Sequence, residues 1–236
     1  MNLQTDSKIN KLKSGLYIVS TPIGNLDDIT LRALEILRKS DHILCEDTRV
    51  SKKLLTKYKI KSNLISNHKF NEKKNIKKII DILKTQAIVS LISDAGTPSI
   101  SDPGFLIVRE SINNDIEINC LPGPTALIPA IVNSGLSSDR FVFEGFLQAK
   151  KGRNKRLNNL LNENRSIIIY ESPKKILKLL NELIDLFGEQ RKASISREIS
   201  KIYQENIRGT LKELLEKFDN KNIKGEFVIV IDGKKN

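Results

Sequence analysis

A carboxylate, small residues, hydroxyls and prolines crowd the segment Ser93-Asp94-Ala95-Gly96-Thr97-Pro98-Ser99-Ile100-Ser101-Asp102-Pro103-Gly104. It follows the apolar run Ala87–Ile92, which reads as a buried parallel strand. In open α/β sheets, ligands bind outside the carboxyl ends of the strands. Small side chains let a ligand approach the main chain, and proline fixes the path of the loop. Four more polar loops stand at strand ends: Thr21–Asn25, Glu46–Arg49, Glu171–Pro173 and Arg197-Glu198. Glu46, Asp47, Glu171 and Glu198 are candidate proton acceptors by loop position. Asp47 is favoured, with Arg49 orienting a phosphate or carboxylate. The competing reading pairs Asp47 with Arg49 simply to hold the loop. Convergence of these loops on one edge of two sheets would build a ligand site between domains.

Other chemistries lack their residues. The glycine fingerprint of dinucleotide-binding folds is absent, and so is a phosphate-binding loop of the Walker type. Thr21-Pro22-Ile23-Gly24-Asn25 follows the first strand, but one glycine does not make a pyrophosphate cradle. His42 and His68 lie far apart, without Cys or paired carboxylates at ligand spacing, so no zinc or other metal site is expected. No G-x-S-x-G elbow exists, and no Cys/His nucleophile arrangement stands out.

The elements that must position these loops alternate. Strand-like and helix-like patterns succeed each other from Gly15 to Cys120. The strands are Leu16–Ser20, His42–Cys45, Asn63–Ser66, Ala87–Ile92 and Ile116–Leu121. Leu31, Leu34 and Leu37 mark a helix stripe capped by Asp28 or Thr30. Leu54, Leu55 and Tyr58 mark a short helix, and Ile76, Ile79, Ile80 and Leu83 a longer one. Phe105, Val108 and Ile112 mark a fourth helix after Gly104. Five strands with crossover helices predict a mostly parallel sheet with helices on both faces.

Leu121-Pro122-Gly123-Pro124 breaks that rhythm and places a domain boundary, residues 1–122 before it and 123–236 after it. A helix over Thr125–Asn133 follows, Pro124 being suited to its first turn. Then come strands at Phe141–Phe143 and Ser166–Tyr170, a helix from Pro173 to Phe187, strands at Lys192–Ser196 and Ile199–Ile207, a helix through Leu211, Leu214 and Leu215, and a last strand at Glu226–Ile231. Consecutive strands near the end predict a mixed or antiparallel second sheet. Phe141 and Phe143 alternate on their strand and read as core rather than stacking platforms.

A chain of 236 residues fits two modest domains. Residues 1–14 are polar and lack the apolar stretch of a signal peptide, and no run is long enough to span a bilayer. Cys45 and Cys120 both end apolar runs and read as buried thiols of a cytoplasmic protein rather than as a disulfide. The net charge of +12 suits a polyanion such as RNA, although Lys, Asn and Ile are enriched together, as AT-biased coding produces. Lys73, Lys74, Lys77 and Lys78 lie opposite an apolar stripe and read as a solvated face. Lys150, Lys151, Arg153, Lys155 and Arg156 differ. They fall before or within the first turn of a helix carrying Leu157, Leu160 and Leu161, where cations oppose the helix dipole. That placement argues for contact with RNA phosphates.

The loops, taken in order, resemble the tetrapyrrole methylase family. The supporting stretches are Leu16–Leu26, Glu46–Arg49, Ser93–Gly104, Pro122–Ala126, Phe143–Leu147, Tyr170–Pro173, Arg197-Glu198 and Gly225–Phe227. Each is weak singly; the ordered set is specific. The resemblance implies a two-domain α/β enzyme, usually a homodimer, that uses S-adenosylmethionine held between its domains. By position Pro22, Asp94, Thr97, Thr125, Ala126 and Leu147 match the cofactor contacts. Asp94 suits hydrogen bonds from amino or hydroxyl groups of the cofactor. The RNA-modifying branch of the family methylates a cytidine ribose 2′-hydroxyl in small-subunit ribosomal RNA. Two positions depart from its pattern: Gln148 stands where proline is expected, and Lys174-Lys175 where His-Arg is usual. Two alternatives stay open, a family methylase acting on a corrin or porphyrin precursor and a non-catalytic RNA-binding protein. The basic stretch at Lys150–Arg156 speaks against the first, and the intact Asp94–Pro98 and Thr21–Asn25 loops against the second.

Overall fold

The computed structural model describes residues 12–148, 152–218 and 223–234. They divide into two compact units. The first takes the chain up to Pro22 and Asp27–Pro124; the second takes Ile23–Leu26 and everything from Thr125 onward.

The first unit runs β1 (Gly15–Ile18), α1 (Leu31–Lys39), β2 (His42–Cys45), α2 (Thr48–Lys57), β3 (Asn63–Ser66), α3 (Glu72–Lys84), β4 (Ile88–Leu91), α4 (Phe105–Asn113) and β5 (Ile118–Cys120). The sheet order is β3-β2-β4-β1-β5, and every pair is parallel. Side chains alternate across it, as the strand period of two requires. Leu16, Ile18, Leu44, Val89 and Leu91 pack with Ile79, Ile80 and Leu83 of α3 and Ile107 of α4. Tyr17, Val19, Ile43 and Cys45 pack with Ala33, Leu34, Ile36 and Leu37 of α1 and Leu55 of α2. Helices therefore cover both faces. Because all five strands run one way, the loops that follow them emerge together at one edge.

The second unit runs α5 (Leu127–Ser134), β6 (Phe141–Phe146), α6 (Arg153–Asn159), β7 (Ser166–Glu171), α7 (Ile176–Phe187), β8 (Lys192–Arg197), β9 (Glu205–Thr210), α8 (Leu211–Phe218) and β10 (Phe227–Ile231). Its sheet order is β6-β7-β10-β8-β9, parallel only between β6 and β7 and so mixed. Ile167, Ile169, Ile229 and Ile231 face α7 and α8 through Leu179, Leu180, Leu183 and Leu214. Ile168, Val228 and Val230 face α5 through Leu127, Ala130 and Ile131, and Phe141 and Phe143 pack against that core.

Several details differ from the sequence reading. On α4 the buried residues are Ile107 and Ser111, while Phe105 and Ile112 are exposed. Leu31 is exposed, and α1 buries Ala33, Leu34, Ile36 and Leu37 instead. Thr30, not Asp28, caps α1, its hydroxyl accepting from the Ala33 N–H at 3.0 Å. Cys45 is buried, but Cys120 is exposed at the end of edge strand β5; both are free thiols. Helix α5 begins at Leu127, and β9 at Glu205 after a turn through Glu198–Gln204. No helix among the described residues is long and apolar enough to cross a membrane.

Candidate functional site

Three carboxylates stand at the carboxyl edge of the parallel sheet. Glu46 follows β2, and Asp94 and Asp102 lie in the loop after β4. Among the described residues none of the three has a Lys or Arg ion partner, in a chain of net charge +12. They act on one another. Burial pushes the Asp102 carboxyl up to about 6, helped by the charges of Glu46 and Asp94 and opposed by a hydrogen bond with the Ser93 hydroxyl. Glu46 is raised by burial and by Asp94, against the pull of His68. Asp94 is raised by burial although the Asp47 N–H donates to its Oδ1 at 3.2 Å. A carboxylic acid that titrates near neutrality at a strand end is a general-base candidate. The sequence reading passed over Asp102. Its only signal there was its place in the Ser93–Gly104 stretch, and its burial is a tertiary property.

The loop carrying Asp94 and Asp102 is braced. Thr21 and Gly96 exchange two main-chain hydrogen bonds of 2.9 Å, which extends β1 past Ser20. The Thr97 hydroxyl donates to the Pro124 carbonyl at 2.9 Å, so the Ser20 hydroxyl, also 2.9 Å away, donates to Thr97. Ser99 and Ser101 both adopt left-handed backbone, at φ 71° and 65°. Such a conformation persists only where neighbours enforce it. Glu72 anchors the far end of the loop. It is buried on α3, and its Oε1 accepts the N–H groups of Gly104, Leu106 and Ile107 at 3.0, 3.2 and 3.3 Å. It thereby caps α4 with a charge that the helix dipole favours. Glu72→Ala is expected to lower stability by about 1–3 kcal/mol, measured by urea unfolding, because those donors lose their acceptor. An unchanged midpoint would show that water or another side chain replaces it.

Asp47, favoured as the base from its loop position, is already engaged by its neighbours. Asp47 is the cap of α2 and accepts from the Arg49 N–H at 2.8 Å. The Arg49 guanidinium also grips it, Nη2 to Oδ2 at 2.6 Å. These bonds with Arg49 hold its carboxyl far below the usual range, the opposite of what a base at neutral pH needs. The two residues hold the loop. Glu198 is fastened likewise. Burial raises its carboxyl, but the Lys201 ammonium at 2.9 Å and the Glu226 N–H bring it below the usual value. Glu171, the third catalytic candidate, is buried at the end of β7 and faces Arg153 at 3.6 Å.

Arg153 is a correction to the phosphate-binding stretch. It is 3% exposed. Its Nε donates to both oxygens of Glu182, at 2.9 and 3.1 Å, and its Nη1 donates to the carbonyls of Leu147 and Gln148. Arg156 pairs with the Glu144 carboxylate and donates to its carbonyl at 2.6 Å. Arg153, in the first turn of α6, is thus matched by carboxylates from β7 and α7, and Arg156, in the last turn where the dipole favours a cation, by one from β6. Lys155 is exposed, and Lys150 and Lys151 lie outside the described residues.

Of the positions matched to cofactor contacts, Asp94 is exposed and Thr97 half-buried, its hydroxyl hydrogen already donated. Pro22 is buried. Thr125 and Ala126 are half-buried just before α5, where Ala126 is the N-cap residue. The Leu147 side chain is core, so only its main chain is left for a ligand.

Residues 15–215 match the family model for tetrapyrrole (corrin/porphyrin) methylases. A protein of Thermotoga maritima named ribosomal RNA small subunit methyltransferase I is 46% identical over 219 residues, 93% of this chain and 98% of its own. Proteins of the same name from Mycoplasmopsis pulmonis and Rickettsia prowazekii are each 44% identical, over 91% and 94% of this chain and 96% and 79% of theirs. Among solved structures, a cobalt precorrin-4 methyltransferase superposes with a TM-score of 0.68 at 17% identity, covering 92% of this chain and 94% of its own. A uroporphyrin-III-C-methyltransferase of Thermus thermophilus gives 0.65 at 14%, covering 93% and 94%. At such identity these two establish the fold alone.

Proposed function

This chain belongs to the tetrapyrrole methylase family and is an S-adenosylmethionine-dependent methyltransferase, and from that premise we propose that it methylates small-subunit ribosomal RNA at the ribose 2′-hydroxyl of a cytidine. The observation that carries the substrate is the 46% identity to the Thermotoga maritima protein over nearly the whole of both chains. A homodimer and a cytoplasmic location are proposed with it, from the family resemblance.

The residues fit a cationic cofactor. Glu46, Asp94 and Asp102 form an anionic patch that lacks basic ion partners among the described residues, which favours a sulfonium and an ammonium. The small, exposed Ala95 leaves the main chain beside it approachable, and Asp94 offers an exposed acceptor. Bound there, the cofactor supplies a methyl group on an already activated sulfur. Thr97 acts by fastening the loop to Pro124. Pro22, Thr125, Ala126 and the main chain of Leu147 stand as proposed contacts on the family resemblance. A ribose hydroxyl is a weak acid, so its proton needs an acceptor as the new bond forms. Asp102 is the proposed acceptor, and Lys155, with Lys150 and Lys151, the proposed phosphate contact.

Methyl transfer from labelled cofactor to small subunits of a strain lacking the enzyme, followed by mapping of 2′-O-methyl marks, tests the reaction. Asp94→Ala tests the cofactor site. Titration calorimetry should give at least about tenfold weaker cofactor binding, the loss of one charge-assisted hydrogen bond. The melting temperature of the cofactor-free protein should hardly move, since Asp94 is exposed. Wild-type affinity in the variant would remove Asp94 from the site.

A further inference from the structure

Phe70 is 92% exposed and lies in the turn between β3 and α3. It belongs to no core, yet the turn that displays it is tightly held. The His68 N–H donates to Asn71 Oδ1 at 2.7 Å, and the Phe70 N–H donates to His68 Nδ1 at 3.3 Å. The side-chain amides of Asn71 and Asn75 both donate to the Ser66 carbonyl, at 3.2 and 2.8 Å. The Asn71 and Glu72 N–H groups bond the His68 carbonyl at 2.9 Å, and Glu72 is itself locked to α4. The phenyl ring meets the His68 ring edge to face, with centroids 6.1 Å apart.

Apart from that edge contact the phenyl ring is left in water and buries almost no apolar surface. Its surroundings suggest what would cover it. The turn stands at the same sheet edge as the carboxylate cluster, and the His68 imidazole lies close enough to Glu46 to act on its charge. Lys69, next to it in the chain, and Lys73 and Lys74, in the first turn of α3, are exposed, and among the described residues none of them has a carboxylate partner. That sets them apart from Arg153 and Arg156, whose charges are matched. An aromatic face flanked by unpaired cations is how proteins hold single-stranded nucleic acid, the base stacking and the cations tracking the phosphates.

We infer that Phe70 is a stacking platform for an unpaired base of the ribosomal RNA substrate, with Lys69 and Lys73 holding the neighbouring phosphates. The inference rests on the proposed RNA reaction and adds a substrate-recognition residue to it. Lys73 then serves the substrate rather than merely solvating a helix face.

The test compares wild type with Phe70→Ala, Phe70→Leu and Phe70→Trp on small subunits of a strain lacking the enzyme and on the RNA extracted from them. Ala and Leu should each lower kcat/KM for RNA about 5- to 150-fold, the range for removing one stacked base. Trp should stay within a few-fold of wild type, because it keeps a flat face. Cofactor affinity and melting temperature should be unchanged in all three, given the exposure of the side chain. Full kcat/KM in the Ala and Leu variants, beside an active wild type, overturns the platform alone. So does rescue by Leu, which would make the contact apolar rather than stacked. A wild type that methylates neither substrate overturns the proposed reaction and the platform with it.

Discussion

Asp102→Asn is expected to lower kcat by about 10²- to 10⁴-fold, the usual contribution of a positioned general base. The variant keeps shape and removes only the ability to take a proton. The wild-type profile of kcat/KM, which reports the free enzyme, should fall tenfold per pH unit below about 6, where Asp102 becomes protonated. In the variant that acid limb should vanish. Glu46 and Asp94 belong to the same cluster and their charges act on Asp102, so the limb belongs to the three carboxyls as a group until the substitution isolates Asp102. Residual activity that keeps the wild-type limb would hand the role to Glu46 or Asp94.

Stability should move the other way. The Asp102 carboxyl holds its proton more tightly in the folded state than in the unfolded chain. Its contribution is therefore full below about pH 4 and is lost as pH rises towards 6, the range in which activity grows. The Asn variant carries no such penalty, so its melting temperature at pH 7 should equal or exceed that of wild type. Loss of turnover without loss of stability is what separates a group held in an unfavourable state for chemistry from one that merely props up a loop.

The alternation of strands and helices was legible because the central strands β1, β2 and β4 are buried and read as short apolar runs, as His42–Cys45 does, while the half-buried edge strand Asn63–Ser66 keeps only its Leu64-Ile65 pair. The polar loops followed from the same pattern, since a parallel sheet puts every loop after a strand at one edge. What the pattern could not carry was partnership. Asp47 and Asp102 are both aspartates in loops at strand ends. One is neutralised by Arg49 two residues on, and the other is raised by burial and by Glu46 from a different strand. Phe105 keeps the helical spacing of a core residue but is exposed, its ring lying under Arg109 at 5.2 Å. Spacing fixes which residues share a face. Which face meets the core depends on neighbours from elsewhere in the chain.

Arg153 is where that limit has the largest measurable consequence. As a phosphate contact it would sit in water, and its removal would leave stability unchanged and flatten the salt dependence of RNA binding. Buried against Glu182 and Glu171 and bonded to the Leu147 and Gln148 carbonyls, it makes the opposite forecast. Arg153→Met should cost about 3–5 kcal/mol, because the buried Glu171 then loses the charge that offsets its burial, while Glu182 keeps Lys178 at 3.8 Å. Arg153→Lys should recover little, since an ammonium lacks the fork that reaches the carboxylate and both carbonyls at once. Neutralising the stranded partner, in Arg153→Met with Glu171→Gln, should restore part of the loss, a non-additivity expected only of groups in contact. Lys155→Ala supplies the contrast. That residue is exposed, so unfolding should be unaffected, and if it meets a phosphate the log–log salt slope of RNA binding should drop by roughly 0.7 to 0.9. Urea unfolding and RNA titrations at several salt concentrations separate the two residues. Wild-type stability in Arg153→Met together with a flatter salt slope would return the guanidinium to the surface and to the RNA.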